Sequence, residues 1–139
     1  MSESERAIEA QRWLRYAQED LVAAEAIIGQ PDVAPRHACW LAQQAAEKSL
    51  KAVLVFLQVD FPYRHDLDAL RNLVPAGWRL KEELPDLTDL TEWAVEGRYP
   101  GDQPDATESD ACFAVQQARA VWISVCADLA RHGLDIADR

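Results

Sequence analysis

Three stretches of this chain carry side chains whose types and spacing could do chemistry. The first is Gln43-Gln44-Ala45-Ala46-Glu47-Lys48-Ser49-Leu50-Lys51, the most polar part of an otherwise apolar segment. Glu47 precedes Lys51 by four residues, the favourable order for an exposed ion pair on one helix face. The plain reading is therefore a solvated face. The same run also suits a polar seam at an interface or ligand groove. The adjacent Gln43 and Gln44 offer amide donors and acceptors there, and Lys48 and Lys51, which follow Glu47, offer ammonium groups to a phosphate. The second stretch is Arg64-His65-Asp66-Leu67. Asp66 is placed to cap a helix, which leaves His65 at the lip of the preceding loop, either as a structural residue or as a general acid or base. The third is Gly97-Arg98-Tyr99-Pro100. An arginine at a helix C-terminus meets the negative end of the dipole, and Pro100 pushes Tyr99 out of helical geometry. A guanidinium beside a phenol also suits phosphate clamping and base stacking.

Other chemistry has no support. There is no glycine-rich phosphate loop, no His-Glu-x-x-His and no nucleophile elbow. Cys39, Cys112 and Cys126 form no CxxC and have no zinc-like spacing with His37, His65 or His132. Each falls among helix-forming apolar residues and is expected to be a buried structural thiol. No metal and no cofactor is expected. The 139 residues carry 14 basic and 24 acidic side chains, a net charge of −10, which disfavours generic duplex binding. Between Arg36 and Arg71, however, five basic residues face four acidic ones, so a local anion site is permitted in that part of the chain. No apolar run approaches the roughly 20 residues of a membrane span. The opening MSESERAIEA is acidic, without an apolar signal core, and the expected location is cytoplasmic.

The elements that must position these residues are helices. Ile8, Trp13, Tyr16, Leu21, Ala24 and Ile28 recur near helical spacing from about Glu3, and Gly29 stops the run. A second helix starts near Pro35 and carries Cys39, Ala42, Ala46, Leu50, Val53 and Leu57 at steps of three or four. Shorter helices are predicted from Asp66 to about Val74 and from about Asp86 to Gly97. Thr107 opens the last, with Asp110 completing a near capping box, and that helix runs through Val115, Ala118, Trp122, Val125 and Leu129 to Gly133. Most of the five tryptophans read as core, and Trp40 also suits a subunit interface. The sequence thus predicts one all-α domain over residues 1–139, an up-and-down helical bundle of four to five helices. Alternating directions would bring the loops FPYRHD and GRYPGD to one end, and with them Arg64 and His65 near Arg98 and Tyr99.

These residues resemble the HEPN family of small helical domains, in the small stand-alone prokaryotic type. The likeness rests on Ala17-Gln-Glu-Asp20-Leu21, on Cys39 to Lys51, on His65-Asp66-Leu67 and on Arg98-Tyr99-Pro100, and spans nearly the whole chain. It implies an all-α bundle that forms a homodimer and works beside a minimal nucleotidyltransferase, in some members as the toxin of a toxin–antitoxin pair. Many members are metal-independent ribonucleases with an Arg-x(4–6)-His motif. Arg98 looks like the arginine of that motif, but the following YPGDQPDATESD contains no histidine. Two functions follow as expectations. One is a non-catalytic nucleotide- or partner-binding domain, with Gln44, Glu47, Lys48, Lys51, Arg64 and Tyr99 at the ligand. The other is a ribonuclease toxin acting on RNA through Arg98, with His65 substituting as base.

Overall fold

A computed structural model describes residues 1–62, 65–96 and 104–136, the last two residues of the middle stretch by backbone alone. Among these residues the chain is all helical, with α1 (Glu3–Ile27), α2 (Pro35–Phe56), α3 (Leu67–Asn72), α4 (Leu80–Glu83), α5 (Thr88–Glu96) and α6 (Glu108–Arg131). The α1 seam is Ala10, Leu14, Ala17, Leu21 and Ala24, alternating steps of four and three that keep small and large apolar residues on one line. The seam packs on α2, where Ala38, Ala42, Ala45 and Ala46 are none more than 1% exposed and small side chains allow close helix approach. Lys48 reaches Asp20 while Arg6 reaches the Phe56 carbonyl, which sets α1 and α2 antiparallel. Contacts of Glu25 with Arg119, Leu14 with Trp122 and Gln11 with Asp135 make α6 antiparallel to α1 as well. The predicted α2 stripe is buried from Cys39 through Val53.

Several expectations are corrected. Ile8 and Tyr16 are 59% and 46% exposed, off the α1 seam, because Ala10 and Leu14 between them face the core. The stretch after Val74 holds a further short helix, α4, whose first amide (Leu80) donates to Asp128 of α6 at 2.8 Å. The described helices are therefore six, against the four to five predicted. Of the tryptophans only Trp78 is buried, stacked on His132 with ring centroids 3.7 Å apart, while Trp13, Trp93 and Trp122 pack at the core's edge. Cys39 is buried and Cys126 half-buried, but Cys112 is exposed on the outer face of α6. The caps behave as read: Asp66 accepts from the Ala69 amide, and Thr107 and Asp110 form a reciprocal capping box. Gly29 takes φ +78° to end α1, a conformation that strains any L side chain. Among the described residues, no helix is long and apolar enough to cross a membrane.

Candidate functional site

The most polar part of α2 lies inside the bundle. Gln43, Glu47 and Lys51 follow one another at four-residue steps, so one helical face stacks an amide, a carboxylate and an ammonium. Glu47 is 5% exposed and Lys51 7%, so the pair is a buried one and not the solvated face predicted from its spacing. The spacing is right for an ion pair; what it lacks is any sign that α1, the α2–α3 loop and α5 cover this face.

Glu47 is the centre of the cluster. Its Oε2 accepts from Lys51 Nζ at 2.9 Å, and its Oε1 accepts from Gln43 Nε2 at 3.1 Å and meets His65 Nδ1 at 2.7 Å. Burial pushes the carboxyl's pKa up, but hydrogen bonds from His65, Lys51 and Gln43 and the Lys51 charge outweigh it. The net effect holds the carboxyl below its ordinary range. Lys51 Nζ also lies over the rings of Trp13 on α1 and Phe61 in the loop, at 5.8 and 5.4 Å from their centroids. Phe61 lines a cleft of about 450 Å³ with Met1, Leu54, Gln58 and Val59.

His65 stands where the sequence puts it, immediately before the Asp66 cap, with a side chain 40% exposed. Its backbone carbonyl accepts from Gln43 Nε2 at 3.2 Å, and Gln43 Oε1 in turn accepts from Gln44 Nε2 at 2.7 Å. Two residues on, the Leu67 amide donates to Thr91 Oγ1 of α5 at 3.0 Å, tying the start of α3 to that helix. Lys48 is half-buried and paired with Asp20 of α1 at 2.6 Å. Of the candidate residues, Gln44, Glu47, Lys51 and His65 thus share one connected network, and Lys48 joins a neighbouring pair. Arg64, Arg98 and Tyr99 lie outside the described residues. Two contributors, Trp13 and Phe61, have no signal in the sequence, because their convergence on Lys51 is tertiary. Among the described residues no group of three or more His, Cys, Asp or Glu side chains could hold a metal ion.

The sequence profile of the HEPN domain matches residues 10–128, a span holding the seam and the whole polar network. This chain belongs to the HEPN family. Two solved structures share its fold. TT1696 from Thermus thermophilus is 26% identical, with a TM-score of 0.74 over 86% of this chain and 97% of that one. ST0689, described as an archaeal HEPN homologue, is 23% identical, with a TM-score of 0.64 over 85% of this chain and 95% of that one. No protein of curated function matches the chain. HEPN membership accounts for the all-helical architecture; what the domain does must come from its site.

Proposed function

We propose that this HEPN domain protein binds a nucleotide or RNA without cleaving it, as a homodimer that works with a minimal nucleotidyltransferase. The observation that supports this reading is the 2.7 Å contact between His65 and Glu47. It gives the rim of the bundle a half-exposed imidazole whose position is fixed from the interior. Arg64 adjoins that ring in sequence, and Arg98 and Tyr99 supply a guanidinium and a phenol suited to phosphate and base. In this reading Gln44, Glu47, Lys48 and Lys51 support the site from α2. Ile8, Val22, Phe113 and Ile123 are each more than half exposed, apolar area that a second copy would cover.

The same contact also favours a second reading, a metal-independent ribonuclease toxin with Arg98 at the phosphate and His65 as base. A carboxylate hydrogen-bonded to Nδ1 is the arrangement that orients a basic histidine. One pair of measurements separates the two. ATP, GTP and a short single-stranded RNA are titrated into the purified protein, and the same RNA is incubated with wild type and Arg98→Ala without metal. Binding without cleavage, weakened more than tenfold in Arg98→Ala (about 1.4 kcal/mol or more), is the expected result. Cleavage that depends on Arg98 would establish the ribonuclease, and neither binding nor cleavage would leave only a scaffold.

A further inference from the structure

His65 and Glu47 belong to different elements, and only the folded chain brings them together. Glu47 has no freedom to choose another arrangement: Lys51 holds one oxygen at 2.9 Å, and Gln43 and His65 converge on the other at 3.1 and 2.7 Å. A charged carboxylate only accepts hydrogen bonds, so the imidazole nitrogen facing it must carry the hydrogen. His65 is held through its backbone as well, its carbonyl accepting from Gln43 Nε2 at 3.2 Å. Glu47 thus faces the ring nitrogen itself, while Gln43, one helical turn away on α2, holds the backbone that carries the ring.

We propose that Glu47 is a positioning residue for His65, fixing the neutral imidazole as its Nδ1–H tautomer so that the basic lone pair is carried by Nε2. The role of this ring at a ligand rests on the function proposed above; its tautomer does not. A neutral His65 of this form accepts a hydrogen bond at Nε2, which matches a ligand hydroxyl or amino group.

The tautomer is read directly in the wild-type protein from the ¹⁵N shifts and two-bond couplings of the His65 ring, at a pH where the ring is neutral. The expected pattern is protonated Nδ1 and unprotonated Nε2; the reverse pattern overturns the proposal without any variant. Glu47→Gln then tests the cause. Lys51 claims the amide oxygen, which turns the NH₂ group toward His65 and should convert the ring to the Nε2–H form. A His65 ring unchanged in a folded Glu47→Gln variant would also overturn the proposal. Nucleotide titration of the same variant keeps the two claims apart. A converted tautomer with tenfold weaker binding supports both. A converted tautomer with unaltered binding supports the positioning role and removes His65 from the ligand site.

Discussion

Glu47 is 5% exposed yet ionises more readily than a free glutamate, because His65, Lys51 and Gln43 all direct hydrogens at it. A carboxyl whose folded pKa lies below the unfolded value adds stability that is complete above the unfolded value and is lost as pH falls through the folded one. The unfolded reference is 4.5, so the Glu47 contribution is whole at neutral pH and disappears in acid below that point. Removing one partner from a buried ion pair costs about 3 kcal/mol. Glu47→Gln should therefore be less stable than wild type by about that much at neutral pH. In urea denaturation the gap should narrow as pH falls below 4.5; a gap that stays constant would show that charge is not what the site uses. The cysteines give a second contrast. Burial, with Asp110 nearby, pushes the Cys39 thiol up to about 12, while Cys112 is exposed. Iodoacetamide at mildly alkaline pH should label Cys112 in the native protein and Cys39 only after unfolding, as read by mass spectrometry. Cys39 and Cys112 sit in equally helix-forming sequence, so composition around them could not tell inside from outside.

At the scale of elements, legibility follows how local each signal is. Asp66 and Thr107 cap helices that start three residues away or fewer, and both were readable. Of the α1 stripe, Leu21 and Ala24 lie on the seam while Ile8 and Tyr16 do not, because Ala10 and Ala17 are weak hydrophobic markers in sequence yet face the core. The four-residue α4 could not be read, since its first amide is satisfied by Asp128, 48 residues on. Asp128 is 1% exposed and also pairs with Arg131 at 2.5 Å, which makes it the anchor of this helix. Asp128→Ala should cost about 1–3 kcal/mol by leaving the buried Leu80 amide unpaired. Faster hydrogen exchange at the Leu80 amide, beyond that elsewhere in the bundle, would place the loss in α4; uniform exchange would refute a local role. The α1–α2 seam is as specific. Ala17 is fully buried on the α1 seam, and Ala17→Leu should destabilise by about 1–3 kcal/mol through overpacking. An unshifted urea midpoint would mean that the helices are not in close contact there.

Over the whole molecule, α2 is the axis. It packs on α1, α3, α5 and α6, and from Ala38 to Leu54 none of its residues is exposed. A helix covered on all sides reads in sequence as one apolar stripe with a polar remainder, and that remainder suits a solvated face or a polar seam alike. Its polar groups are answered by other elements: Asp20 and Trp13 from α1, Phe61 and His65 from the loop. Helix content and order were thus open to inspection of the chain, whereas the network around Glu47 exists only once those elements meet. The acidic excess is carried elsewhere, leaving this interior network nearly balanced in sign. At the far end of α6, His132 lies flat on Trp78 with the ring planes 6° apart. A ring laid this close against an indole alters its excited state, so undocking of the C-terminal turn should change the emission of Trp78. The bundle thereby carries an intrinsic optical gauge of whether its C-terminal turn is docked, readable without any attached label.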